Sequence, residues 1–141
     1  MTLKMKAQEV MAYLEEVFPQ MTGEFTLLDL EPDRLRIRLN VNDSHLRPGG
    51  TVSGPSMFSL ADCAFYVLVL ARVGRQSLAV TTNCSIDFMR KPAAGPLVAE
   101  ARMLKLGRML AVGDVLIFTE GEDKAVARAS LTYSVPPKEM G

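Results

Sequence analysis

The sequence has no Trp, one His, two Cys and no net charge, its 16 Lys and Arg being matched by 16 Asp and Glu. Each shortage excludes something. Two Cys, Cys63 and Cys84, make no disulfide framework, so a reducing, cytoplasmic setting is the expectation. One His and two scattered Cys cannot supply the four ligands of a structural zinc site, and no metal is expected. A His-dependent triad would have to use His45. Balanced charge argues against a protein that grips nucleic acid. Aromatics make up only 6% of the chain, leaving its basic strands without the stacking platforms of a single-strand binder. The unbroken apolar run from Cys63 to Ala71 is nine residues, short of the roughly 20 that a membrane span needs. The opening MTLKMKAQEV is polar and lacks the apolar stretch of a secretory leader.

What is present is a 48% apolar chain of 141 residues, which suits one domain spanning residues 1–141 with a real core. Its charge is uneven. Between Arg34 and Arg108 there are 11 basic and four acidic residues, a bias that would draw an anionic ligand or else reflect Arg-rich outward strand faces.

Apolar spacing predicts a helix over 4–17, stopped by Pro19. Residues 24–30 are strand-like. Residues 34–41 alternate, with Leu35, Ile37, Leu39 and Val41 on one face and Arg34, Arg36, Arg38 and Asn40 on the other. A loop over 42–54 leads to Pro55, suited to a first helical turn. Residues 55–73 are apolar on nearly every side and so must be buried on nearly every side. Residues 77–89, 97–106, 109–119 and 125–135 read as strands, with hairpin turns at Gly107-Arg108 and Glu120–Asp123. The order suits an α+β domain: a curved antiparallel sheet of about six strands around one central helix, with a short N-terminal helix. The tail beyond Pro136-Pro137 is expected to fray.

One residue breaks the pattern. Asp62 is the only charge between Pro55 and Ala71. A carboxylate in an apolar helix costs several kcal/mol unless it has partners or a task, and its position is late for a cap. Burial and donor groups together tune such a group as a base or nucleophile. At the start of the same helix, Ser53-Gly54-Pro55 turns the chain so that free N–H groups point outward. Gly54 lets a ligand approach the backbone closely, and its N–H could stabilise a developing oxyanion; Pro55 offers no N–H. Gly54–Phe58 begins like a nucleophile elbow, but the closing Gly is absent and no His follows His45.

Two segments, Ser53–Tyr66 (SGPSMFSLADCAFY) and Ala79–Met89 (AVTTNCSIDFM), resemble the PaaI-like acyl-CoA thioesterases of the hotdog-fold superfamily. The likeness of element order covers roughly residues 20–135. The resemblance implies a hotdog fold and a homodimer, often paired into tetramers, with sites at the subunit interface. It implies metal-independent hydrolysis of an aryl- or medium-chain acyl-CoA, with coenzyme A as part of the substrate and no separate cofactor. Asp62 would act as nucleophile or general base, Gly54 N–H as the oxyanion donor, and Thr81, or Thr82, would hold a water. Family members usually carry His-Gly-Gly where this chain has Ser53-Gly54-Pro55, and often an Asn where Arg47 stands. Ser53 could replace the His in a hydrogen bond but not in its acid–base range. The alternative reading is a weak or inactive hotdog protein that binds acyl-CoA. The coenzyme's phosphates would be met by Arg90 and Lys91 first, then Arg108, with Arg47 also in reach. Phe58, Phe65 and Tyr66 are candidate walls of an acyl tunnel. No nucleic acid or membrane partner is expected.

Overall fold

The computed structural model describes residues 2–137; the tail expected to fray, residues 138–141, lies outside them. The elements run α1 (Ala7–Val17), β1 (Phe25–Glu31), β2 (Arg34–Leu39), α2 (Gly54–Val73), β3 (Val80–Phe88), β4 (Leu97–Leu106), β5 (Leu110–Thr119) and β6 (Ala125–Ser134). Short 3-10 turns at Pro19–Met21 and Asp43–His45 join them. All six strands form one antiparallel sheet in the order β1-β2-β4-β5-β6-β3. The sheet wraps around α2, which is the hotdog arrangement.

The sheet accepts a helix because its inner face is small where the helix lies. Ala99 and Ala101 on β4, Ala111 and Gly113 on β5, and Ala127 and Ala129 on β6 are all buried there. They leave room for the larger side chains of α2, among them Phe65, Leu68 and Leu70, each fully buried. Gly113 is the tightest point: a Cβ there would run into the Phe65 ring and the Arg102 carbonyl. By length and composition alone α2 could cross a membrane, more than its nine-residue apolar run suggested. In the fold, 67% of its most apolar stretch is buried inside the protein instead.

Both ends of α2 are pinned. Ser53 caps the N-terminus by accepting from the Ser56 N–H. Gly74, at φ +91°, closes the C-terminus with its N–H on the Leu70 carbonyl, a conformation that L side chains rarely adopt. Arg72 donates to the Pro32 carbonyl at 2.6 Å, tying the helix end to the β1–β2 turn. The Lys4 N–H on the Ala71 carbonyl brings the N-terminal segment alongside. That segment bends and Lys6 is extended, so α1 starts at Ala7 and not at residue 4.

The outer face of the sheet carries the charge. Arg36 pairs with Glu100, Arg38 with Glu120, Arg102 with Asp114 and Arg128 with Asp87. Of the basic residues between Arg34 and Arg108, Arg36, Arg38 and Arg102 are paired in this way. They are exposed and add little stability each. β3 forms one edge of the sheet, with Val80 and Phe88 about half exposed.

Candidate functional site

Asp62 is the ninth residue of α2, and its carboxylate meets the sheet where β3 and β6 face each other. Thr81 on β3 donates its hydroxyl to Asp62 Oδ1 at 2.6 Å, and Tyr133 on β6 donates to the same oxygen at 2.6 Å. Among the described residues Asp62 has no ion-pair partner. The carboxylate is thus hydrogen-bonded but not neutralised, which preserves its capacity as base or nucleophile.

A local irregularity decides which threonine reaches it. Ile86 and Cys84 are half-buried on β3, and strict alternation back from them would aim Thr82 inward. A bulge between Thr81 and Asn83 makes Thr82 the extra residue, so Thr81 pairs with Tyr133 and faces Asp62. Thr82 is exposed and donates instead to the Thr132 carbonyl at 3.2 Å. Sequence reading missed Tyr133. The signal was available in its strand parity with Leu131 and in the rule that a buried Tyr hydroxyl finds a partner.

A cavity of about 490 Å³ opens beside Asp62. Leu14, Phe18 and Met21 line it from α1 and the turn after it, Tyr66 from α2, and Leu78 from the loop before β3. That loop is held by two tyrosines. Tyr66 donates to the Ser77 carbonyl at 2.9 Å, and Tyr13 accepts from the Ser77 N–H at 3.2 Å. These bonds keep residues 77–79 out of β3, which the sequence pattern had started at 77. Of the three expected tunnel residues only Tyr66 lines the cavity. Phe65 is core, and Phe58 is 40% exposed. Cys63 also lines the cavity, but burial and then the Asp62 charge push its thiol up to about 12, which removes it as a nucleophile.

Gly54 lies elsewhere. Eight helical steps separate it from Asp62, about 12 Å along α2, and the cavity does not include it. Ser56 N–H is taken by the Ser53 hydroxyl, Met57 N–H by the Ser53 carbonyl, and Pro55 has none. Gly54 N–H is therefore the one unsatisfied donor of this helix start among the described residues. The Phe88 ring packs against Gly54; a Cβ there would sit 3.3 Å from its Cζ. The Ser53 hydroxyl is engaged in the cap and with Ser56 Oγ at 2.9 Å.

Arg47, in the loop before α2, and Arg90 and Lys91, just beyond β3, share the Gly54 end of the sheet. Arg108 lies at the opposite end, in the β4–β5 hairpin. All four are exposed, and among the described residues none has an ion-pair partner, unlike the arginines of the outer face. His45 has a structural task. Its Nδ1 accepts from the Asn42 N–H at 2.9 Å, so Nε2 carries the proton and donates to Glu24 at 2.9 Å. No group of three or more His, Cys, Asp or Glu is placed to hold a metal among the described residues.

Comparison with known proteins agrees with this fold. Residues 49–126, more than half of the chain, match the thioesterase superfamily. A protein from Silicibacter sp. TM1040, solved as a candidate thioesterase, is 59% identical, covers 97% of this chain and 96% of its own, and superposes with a TM-score of 0.91. A mutant of the phenylacetic acid degradation protein PaaI from Thermus thermophilus is 30% identical over 84% of this chain and 99% of its own, with a TM-score of 0.72. Streptococcus mutans smu.793, solved bound to acetyl CoA, is 25% identical over 82% and 91% of the two chains, with a TM-score of 0.72. A candidate esterase of Deinococcus radiodurans is 38% identical over 104 residues; the match covers 73% of this chain and 64% of the length of that relative. With six antiparallel strands around α2 and these matches, the chain belongs to the thioesterase superfamily as a PaaI-like hotdog protein.

Proposed function

We propose that this chain hydrolyses the thioester of an aryl- or medium-chain acyl-CoA in the cytoplasm, with no metal or separate cofactor. The observation that carries the proposal is the Asp62 carboxylate, held by two hydroxyls and facing an apolar cavity, with no cation beside it among the described residues. The acyl group would occupy the cavity between α1 and α2. Asp62 would attack the thioester carbon, or take the proton from a water that does. The oxyanion formed would be held by Gly54 N–H, and collapse would break the C–S bond and release the coenzyme thiolate, which takes up a proton. The water route gives the free acid directly, while the direct route leaves an acyl-Asp62 anhydride that a water hydrolyses to the free acid and the Asp62 carboxylate.

Asp62 and Gly54 of one chain are too far apart along α2 to touch one thioester, so the site is shared across a homodimer. The free edge of β3 is the natural contact. An antiparallel pairing of two β3 edges brings the Phe88–Gly54 end of one copy toward the Thr81–Asp62 end of the other. It also brings Arg47, Arg90 and Lys91 of that copy toward the coenzyme's phosphates.

The test is turnover of a panel of aryl- and medium-chain acyl-CoA esters by the wild type, Asp62→Asn and Gly54→Val, with the two variants also mixed and refolded together. Asp62→Asn should lose at least about 100-fold in kcat. Random mixing of the two inactive chains should restore about a quarter of wild-type activity, because half the dimers would hold one intact site. Equal rates from wild type and Asp62→Asn would remove the carboxylate from the chemistry. Tight binding without turnover would favour the second reading, a non-hydrolytic acyl-CoA binder, which the capping role of Ser53 supports.

A further inference from the structure

Two hydroxyl protons converge on one oxygen of Asp62 and leave the other bare. Thr81 and Tyr133 both reach Oδ1, whereas Oδ2 accepts from no group among the described residues. A phenol has one proton to give. Tyr133 Oη is 2.6 Å from Oδ1 and 3.1 Å from the Asp62 carbonyl, so the carboxylate is the better acceptor. Burial, then the Asp62 charge, hold the Tyr133 phenol far above its ordinary range, so it remains a donor. Its ring cannot swing away. Phe65 meets it edge-on at 5.5 Å, and Tyr66 stacks on it at 6.0 Å. Thr81 and Tyr133 are direct cross-strand partners, so one row of the sheet supplies both donors.

A carboxylate with a single donor can turn about its Cβ–Cγ bond and exchange its oxygens. Two donors from opposite strands on the same oxygen fix the plane of the group. No Lys, Arg or His among the described residues lines the cavity. The titratable groups facing Asp62 are Cys63 and Tyr66 of α2, Cys84 of β3 and Tyr133 of β6.

We infer that Tyr133 is a positioning residue: with Thr81 it clamps Oδ1, so that Oδ2 alone is presented to the substrate or its attacking water. The inference rests on Asp62 being the reacting group of the proposed thioesterase. It adds that the orientation of Asp62, and not only its presence, is built into β6.

Tyr133→Phe keeps both ring contacts and removes only the hydroxyl. Its kcat on the best acyl-CoA should fall about 10- to 100-fold while KM stays within about twofold. Thr81→Val should show a similar loss. The double variant should lose clearly less than the product of the two single losses, because both donors act on one oxygen.

A second readout needs no substrate. In protein labelled with 13C at aspartate carboxyls, the Asp62 signal is identified by its loss in Asp62→Asn. Its chemical shift at neutral pH should change clearly in Tyr133→Phe and stay at the wild-type position in Thr82→Val, since only the first removes a donor to Oδ1. An unmoved signal in Tyr133→Phe overturns the clamp, as does a moved signal with wild-type kcat. A wild type that turns over no acyl-CoA defeats the functional proposal, and the carboxyl signal then still decides whether the clamp exists.

Discussion

Gly113 illustrates how one missing side chain sets the distance between sheet and helix. Its place on β5 lies directly under Phe65, itself fully buried. A methyl group at this position meets both the Phe65 ring and the Arg102 carbonyl, and the carbonyl is backbone that cannot move aside cheaply. Gly113→Ala should therefore cost about 3 kcal/mol of stability, read as a lower urea midpoint with an unchanged slope. A midpoint equal to wild type would mean that α2 lifts off the sheet without cost. In sequence Gly113 is an unremarked residue inside a strand pattern. Its meaning depends on Phe65, 48 positions away in the chain, and no local rule connects the two. Asp62 is the opposite case. A charge within an apolar helix is legible without coordinates, because the cost of burying it demands an explanation at once. The partners that supply the explanation, Thr81 and Tyr133, were half legible: Thr81 through the family resemblance, Tyr133 not at all.

At the scale of elements, the β3 bulge is the feature with functional weight. Alternation predicts the wrong threonine, and an extra residue at Thr82 corrects the phase. Thr81→Val should lower kcat about 10-fold or more, whereas Thr82→Val should leave kcat within about twofold, in the same acyl-CoA assay. Equal losses at both positions would mean that the bulge does not select the hydroxyl. The strands and helices themselves were readable because their periods are strong. β4 matches the expected 97–106, and α2 differs from the expected 55–73 by one residue at its start. Boundaries failed where distant groups intervened. α1 begins late because the preceding segment bonds to the end of α2, and β3 begins late because Tyr13 and Tyr66 hold Ser77.

For the molecule as a whole, the buried acids of the cavity couple stability to alkaline pH. Cys63 and Tyr66 are raised from 9.0 and 10.0 to about 12, and Tyr133 is raised as well, burial being the largest cause in each. The unfolded chain releases these protons from about pH 9 upward, while the folded chain keeps them to about 12. The unfolded state then binds fewer protons, so stability should fall as pH rises from 9 toward 12. Urea midpoints measured at intervals from pH 7 to 11 would show a decline beginning near 9. A flat profile would mean that the cavity is wetter than its lining indicates. The same scale governs the site. Asp62 lies at one end of the β3 edge, and Gly54 with Arg47, Arg90 and Lys91 lies at the other, which is the arrangement behind the proposal of a site shared between two copies.

By itself the sequence determined the number and kinds of elements, the buried central helix and the anomalous carboxylate within it. These follow from short-range periodicity and from the cost of hiding charge, both of which act along the chain. Only the tertiary structure decided which hydroxyls hold that carboxylate and which apolar side chains form the cavity wall. Those depend on strand order, on a one-residue bulge and on contacts between segments many tens of residues apart. Such contacts are set by packing in three dimensions and leave no periodic trace in the sequence.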